Sequence, residues 1–450
     1  MTKAASAAAK DLAVAGVLGV HLSWADNNGI PRSRIVPISG LAGAAACGVG
    51  ATTLFAVFDS HDRITYSHPE LGTPSGDIRL VPVIERLRRL AGQPALAWAP
   101  ARQVAGDGSP WPYCQRTALE RQVAEAEREG LEFKVGFEIE FAVAPAGSSD
   151  VVTTPGHSGP AYSPHALVPL DDFVCALLHD FEANGLRIGQ LHAEYGPAQL
   201  ELSLPATDPV RAADDQLLAR QTIHAAARAH GLRVSFAPLV SPQAPGNGWH
   251  LHTSVWRDGR NLLAGEDGPT GEGAACLAGL LRDLGALTAV TAPSVPSIHR
   301  LRPGYFASAY TFWGVENREA PLRYVPGTAM VGADHANVEL KPCDASANPY
   351  LALAALIAAG RAGIAEGLEL APAVDADPGT WQESERQTLG IASLPSSPSE
   401  QARLLEGSPR IRAALGEALF GAFRAVRASD AEWAEDKPIE QVVLAHLWRY

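Results

Sequence analysis

The sequence predicts an α+β protein in two parts, a small mixed unit over residues 1–105 and a large mixed domain over 106–450. Three observations predict it. Gly106–Pro112 is rich in glycine and proline and marks a boundary. Beyond it, segments of strand period and of helix period alternate to the end of the chain. One strand, Phe133–Val143, alternates strictly, with Phe133, Val135, Phe137, Ile139, Phe141 and Val143 on one face and Lys134, Gly136, Glu138 and Glu140 on the other.

In the first part, Val17–Trp24 and Arg34–Ile38 have strand character, with Asn27-Asn28-Gly29 as the turn between them. Leu54–Phe58 and Ile78–Val81 are expected as further strands and Val83–Leu90 as a helix. In the second part, Arg116–Glu129 predicts a helix leading into the alternating strand, and Ala146–Pro164 a loop. Asp171–Asn184 predicts a helix, Leu186–Leu191 a strand and Pro209–His230 a long helix whose His224 and His230 are ordinary helix residues. Gly273–Leu284, Glu400–Ser408, Ile411–Arg427 and Ile439–Trp448 are expected to be helical. Asn348-Pro349 is a helix start, with Asn as cap and Pro in the first turn.

The chain carries a net charge of −13, and its positive charge is nearly all Arg. No basic block predicts a nucleic-acid or membrane partner. Isolated arginines in a cleft suit carboxylate or phosphate groups of small substrates. The five cysteines are scattered without a CxxC pair, as expected of reduced thiols in a cytoplasmic protein. Lys10 and Asp11 interrupt the Ala-rich start, which therefore does not read as a secretion signal, and Leu351–Gly360 is too short to span a bilayer. No GxxxxGK[ST] motif occurs, so any nucleotide is held without a P-loop.

The polar face of Phe133–Val143 sets two carboxylates about 7 Å apart on a rigid element. Three more segments repeat the pattern. His192–Leu204 is a hairpin about Gly196-Pro197, with His192 and Glu194 on one arm and Gln199, Glu201 and Ser203 on the other. Gly248–Trp256 puts His250, His252, Ser254 and Trp256 on one face. Ala336–Lys341 does the same for Asn337, Glu339 and Lys341. Singly, each reads as a solvated strand face. Together they offer Glu138, Glu140, Glu194, Glu201 and Glu339 with an imidazole. That oxygen-rich set favours Mg²⁺ or Mn²⁺ over zinc, in more than one ion, as a site handling ATP phosphates requires.

In this order the motifs resemble the glutamine synthetase family: Gly136-Phe137-Glu138-Ile139-Glu140-Phe141, Glu194 with Gln199-x-Glu201, Gly248-x-His250-x-His252, Arg300-Leu301 with Pro303-Gly304, Asn317-Arg318, Val338-Glu339-Leu340-Lys341, and Asp344 followed by Asn348-Pro349-Tyr350-Leu351. The closer likeness is to the ligases of that family that join glutamate to amines. The resemblance implies a small N-terminal β-grasp domain, a catalytic domain that is a distorted α/β barrel, and stacked homo-oligomeric rings, a dodecamer for example, with sites at subunit boundaries. It implies Glu140, Glu194 and Glu201 on one metal ion and Glu138, His250 and Glu339 on another. Arg300 would grip the glutamate side-chain carboxylate beside the loop of Gly246 and Gly248. Arg318 and Arg323 would meet the phosphates, with His252, Ser254 and Asn337 beside the nucleotide. Tyr162 would lie near the ammonium pocket, and Arg300, Arg318, Tyr162 and Glu194 would be the catalytic residues.

The departures from the family pattern gather on the ammonia side. Phe306 stands where the family has a flap glutamate that binds and deprotonates ammonium. Pro245 replaces an Asn, Pro296 and Ile298 replace Asn and Tyr, and Asn337 and Lys341 each replace an arginine. The N-terminal aspartate that helps hold ammonium has only Asp59 and Asp62 as candidates. An apolar flap residue fits an acceptor that carries carbon. The expected activity is ATP-dependent formation of a γ-glutamyl amide through γ-glutamyl phosphate. Glutamine synthesis from ammonia, and a non-catalytic regulatory or structural role, are the alternatives.

Overall fold

The computed structural model describes residues 2–265 and 268–450. The first part forms a six-stranded sheet from β1 (Gly19–Ala25), β2 (Pro31–Pro37), β3 (Val49–Thr52), β4 (Asp77–Pro82), β5 (Arg88–Arg89) and β6 (Leu96–Val104). Its order is β2-β1-β6-β4-β3, with β1 and β6 parallel and β5 on β6. Two expectations fail here. Leu54–Phe58 is a 3₁₀ turn (Thr53–Val57), stabilised by the Thr52 hydroxyl accepting from the Leu54 N–H. Val83–Leu90 is not a helix: Pro82 ends β4, and the chain continues into a 3₁₀ turn (Ile84–Arg86) and the short β5.

The larger sheet holds β7 (Glu132–Pro145), β8 (Leu191–Ala193), β9 (Gln199–Thr207), β10 (Leu232–Ser235), β11 (Leu251–Arg257), β12 (Arg260–Asn261), β13 (Trp313–Val315), β14 (Leu322–Val325) and β15 (Asn337–Leu340). Its order is β13-β14-β15-β11-β7-β9-β8, with β10 on β7 and β12 on β11. The apolar face of β7 is fully interior: Val135, Phe137, Ile139, Phe141 and Val143 are each at most 1% exposed. Burial of this kind is worth about 1.5–3 kcal/mol per side chain and fixes which face the acids take. Phe137 stacks on Trp249 with ring centroids 4.5 Å apart. Leu186–Leu191 is not a strand; after the turn at Gly185 only Leu191–Ala193 joins β9, while the Ser203 hydroxyl holds the Gln190 N–H.

Helices cover the buried side of this sheet. Gln115–Arg128, Asp171–Ala183 and Pro209–Ala229 lie where periodicity places them. Gly271–Thr291 runs a full seven residues past its expected end and packs against Pro349–Glu366. It is long and apolar enough to cross a membrane, yet most of it is buried inside the protein. Ile411–Arg427 is broken at Gly416, whose φ of 82° ends Pro409–Leu415 and starts Glu417–Ala434.

The two sheets are joined through Asn27-Asn28-Gly29. This turn is buried rather than exposed. Asn348 caps its own helix through Oδ1, accepting from Tyr350 and Leu351 N–H, and donates from Nδ2 to the Ala25 and Asp26 carbonyls. Arg220 donates to the Gly29 carbonyl. One cap residue thus locks the start of Pro349–Glu366 to the end of β1.

Candidate active site

Strand register builds the site. Glu140 on β7 lies opposite Glu201 on β9, and Glu201 lies opposite His192 on β8. On the other side of β7, Gly136 faces His252 on β11, His252 faces Glu339 on β15, and Glu339 faces Arg323 on β14. Directly opposed residues share a face. A row of charged groups therefore crosses the polar face of the sheet, with Glu138 between its two halves. The β7–β11 pairing continues past the end of β11, the Glu138 and Glu140 N–H groups donating to the His250 and Gly248 carbonyls.

Short contacts hold the row. Glu140 Oε2 accepts from the Gln199 amide at 2.7 Å and the Gly248 N–H at 2.8 Å. Its Oε1 is 3.6 Å from His250 Nε2. His250 Nδ1 lies 3.2 Å from Glu138 and 3.3 Å from Glu339, so this imidazole touches both acid groups. His252 Nε2 is 3.2 Å from Glu138, and its Nδ1 meets Asn337 Oδ1 at 2.9 Å. Glu339 binds Arg323 at 3.0 Å and lies 3.6 Å from the Lys341 ammonium. Glycine is required beside them. A Cβ at Gly248 would sit 2.5 Å from His250 Nε2, and one at Gly246 2.7 Å from the Arg300 side chain.

The acids do not ionise alike. Burial and the charges of Glu140, Glu138, Glu194 and Glu339 push Glu201 up to about 10. Burial would also raise Glu339, but Lys341, His250 and His252 outweigh it and hold the carboxyl down to about 2. Burial alone would lower His252; Glu138 and Glu339 instead raise it to about 9. This is the electrostatic signature of a site with more negative groups than its own cations balance. Divalent ions fit it. One ligand atom each from Glu138, His252 and Glu339 lie within 4.8 Å of one another, and so do those of His192, Glu194 and Glu201. His192 and His252 thus stand as close to the acids as His250, the imidazole expected from the motif.

Burial and the neighbouring acids favour a proton in this cluster, chiefly at Glu201, and a divalent ion competes with it. Mn²⁺ or Mg²⁺ affinity should therefore rise with pH, about tenfold per unit for one displaced proton. Calorimetry at pH 6.5 to 8.5 in buffers of different protonation enthalpy reads both the Kd and the proton release; a pH-independent Kd contradicts this reading.

Beside the acids lies a cavity of about 360 Å³ lined by Lys134, Glu138, His252, Ser254, Trp256 and Asn337 among others. The Lys134 ammonium sits 3.6 Å over the Trp256 ring, and the Trp256 N–H donates to Ser254. The structure thus brings His252, Ser254 and Asn337 to one cleft, with Arg323 on the adjoining strand. Lys134 and Trp256 were legible only as alternation partners.

Arg300 is buried at the end of the short helix Val295–Arg300. It donates to the Cys343 carbonyl at 2.7 Å and lies 3.7 Å from Asp344. Arg318 is exposed and has no ion-pair partner among the described residues. Phe306 is 57% exposed with φ of 52°, a left-handed conformation unusual for an aromatic residue. Its N–H donates to Glu319, the neighbour of Arg318, so the two segments are tied together; no pattern in the sequence singles Glu319 out. The Tyr162 hydroxyl donates to Glu194 at 3.0 Å, and Glu194 also accepts from the Tyr195 N–H and meets His192. Burial would raise Glu194, but these bonds lower it, so it stays a carboxylate. Asp59 and Asp62 are engaged within the chain, Asp59 with Arg63 and Ser429, Asp62 with Arg32 and Arg449.

Known proteins resemble this chain in sequence and in overall fold. The family profile described as glutamine synthetase, catalytic domain, matches residues 112–443. The chain is 44% identical over 450 residues to the gamma-glutamylpolyamine synthetase GlnA3 of Streptomyces coelicolor, covering 99% of this chain and 96% of that one. It is 32% identical to the glutamine synthetase of Pyrococcus abyssi over 89% of this chain and 87% of that one. Among solved structures, a novel glutamine synthase homolog superposes with a TM-score of 0.85 at 30% identity, over 96% and 99% of the two chains. A GmaS/ADP complex superposes with a TM-score of 0.82 at 26% identity, over 96% and 97%.

Proposed function

The chain belongs to the glutamine synthetase family, and on that premise we propose that it is an ATP-dependent ligase joining glutamate to an organic amine through γ-glutamyl phosphate. The observation that carries this reading is the full acidic row on one sheet face, read with Phe306 where the resemblance puts the flap glutamate. The reaction class is retained and the ammonium-binding acid is not.

A carboxylate is a poor acylating agent. Transfer of the γ-phosphoryl group of ATP to a glutamate oxygen gives an acyl phosphate; the amine nitrogen then attacks the carbonyl carbon and phosphate leaves. In this reading Glu140, Glu194 and Glu201 hold one divalent ion and Glu138, His250 and Glu339 another, Mg²⁺ or Mn²⁺, two or more per site. When bound, such ions offset charge on the phosphate oxygens. Arg318 and Arg323 supply the fixed positive charge beside them. His252, Ser254 and Asn337 line the nucleotide side. Arg300, with Gly246 and Gly248, positions glutamate, and Lys341 adds charge without a bidentate fork. Glu194, kept ionised beside Tyr162, attracts the ammonium form of the acceptor, which must lose a proton before it attacks.

The acceptor we propose is an amine carrying carbon, with polyamines favoured by the 44% identity to a gamma-glutamylpolyamine synthetase. We further place residues 1–105 in an N-terminal β-grasp domain and 106–450 in the catalytic domain, and the chain in cytoplasmic ring-shaped homo-oligomers such as a dodecamer. The test is phosphate release from Mg·ATP and glutamate with ammonia, methylamine, ethanolamine, aniline and a polyamine in parallel. An organic amine should give kcat/KM at least about tenfold above ammonia, the scale of discrimination one apolar contact supplies. Saturation by ammonia at low concentration, with every organic amine ignored, would overturn it.

The flap residue can be tested by restoring an acid. Phe306→Glu should raise turnover with ammonia and lower kcat/KM for the preferred amine, each by about tenfold. A variant whose amine-to-ammonia ratio matches the wild type would remove Phe306 from specificity.

A further inference from the structure

We propose that Tyr162 and Tyr195 form an outer subsite that binds the distal ammonium of a di- or polyamine whose reacting nitrogen lies at Glu194. This deepens the ligase reading and rests on it. The two rings stand edge to face, with centroids 6.3 Å apart and planes at 72°. Both are exposed, Tyr162 by 59% and Tyr195 by 70%, and neither belongs to a hydrophobic core cluster. Packing in the chain's own core therefore does not explain two large aromatic rings at this edge.

Their position is fixed from several directions. Tyr162 stacks on His192 at 5.4 Å, its hydroxyl donates to Glu194, and its N–H donates to the Ala193 carbonyl at 3.0 Å. It holds a φ of 57°, costly for a tyrosine, so these contacts impose the conformation. Tyr195 follows Glu194 directly and donates its N–H to the same carboxylate oxygen that Tyr162 reaches. The pair thus begins at the carboxylate that faces the acceptor and opens outward.

The chemistry selects a class of ligand. An aromatic face carries negative quadrupole charge and attracts an alkylammonium, while its carbon surface packs on methylenes. Methylamine or ammonia has no second charge to place there. A diamine bound through one nitrogen at Glu194 carries a second ammonium that can lie over the exposed rings. Polarity alone would also attract it, but a carboxylate there would hold either end equally; an aromatic pair beside one carboxylate distinguishes the two ends.

The test compares 1,4-diaminobutane with butylamine, which has the same carbon chain and one ammonium. KM for each is measured for the wild type, Tyr195→Ala and Tyr195→Phe. In the wild type the diamine KM should be about tenfold lower; Tyr195→Ala should erase that difference by raising the diamine KM alone, and Tyr195→Phe should keep it, with kcat steady throughout. Equal loss for both amines, no loss for either, or a Phe variant that behaves like Ala would overturn the subsite. Turnover of butylamine without a preference for the diamine would sink the subsite and leave the ligase standing. Absence of turnover with any amine in the wild type would remove both.

Discussion

In the Glu140→Gln protein, amine-stimulated phosphate release falls by about 10³-fold or more, the scale expected when a charge that stabilises phosphoryl transfer is removed from a preorganised site. Glu140 sits at the junction of the row. It pairs across β9 with Glu201, accepts from Gln199 and Gly248, and lies 3.6 Å from His250. The amide keeps the shape and one acceptor oxygen but removes the negative charge and turns an NH₂ towards a neighbouring donor. The fold should tolerate the change, because the apolar face of β7 is untouched. His224→Ala is the control: its ring packs edge-on against Phe236, which packs in turn on Phe141 of the apolar face of β7, and activity should stay within about twofold, as for a substitution with no role at the site. Retention of a tenth or more of wild-type activity in Glu140→Gln would sink the proposed role, an outcome well outside the loss expected here.

Arg300→Lys raises KM for glutamate by about 100-fold while KM for ATP stays nearly unchanged, the equivalent of ~3 kcal/mol of charged hydrogen bonding. The guanidinium is 3% exposed and spends one nitrogen on the Cys343 carbonyl. Among the described residues its Nε has no hydrogen-bond partner, and neither has the nearby Asp344 Oδ2. A planar fork can hold the carbonyl and still present donors to a carboxylate; an ammonium cannot do both. Gly246 is needed for the same reason, since any side chain there would fill the space of the Arg300 methylenes. A glutamate KM within threefold of wild type would show that the acid substrate is gripped elsewhere, since a lost charged hydrogen bond costs more than that.

What was legible in the sequence was whatever a period of two could encode. The faces of β7, β9, β11 and β15 are written in alternation, and once those strands pair, register brings Glu140 to Glu201 and His252 to Glu339. What alternation cannot encode is which strand neighbours which. His192 and Gln199 were visible on their faces, but their contacts with Glu201 and Glu140 arise from pairing and from side-chain reach. Strand β6 was missed because Pro100 interrupts it. In the structure that residue pairs with Ser23, and its carbonyl accepts from Val83, so the missing N–H is tolerated. Asn27-Asn28-Gly29 was correctly a turn, but its burial against Ala347 and Arg220 is tertiary and has no local signature. Val83–Leu90 has helix-like spacing that the preceding proline and two pairing residues override.

The measurement that tests the central claim most directly is isotope transfer. Glutamate labelled with ¹⁸O in its side-chain carboxylate is incubated with Mg·ATP and the preferred amine, and both products are weighed by mass spectrometry. Attack of a carboxylate oxygen on the γ-phosphorus, followed by displacement at carbon, puts one ¹⁸O into the released phosphate and leaves one in the γ-glutamyl amide. That is the predicted result. Unlabelled phosphate released together with amide, or phosphate released with no amide at all, would contradict a γ-glutamyl phosphate ligase.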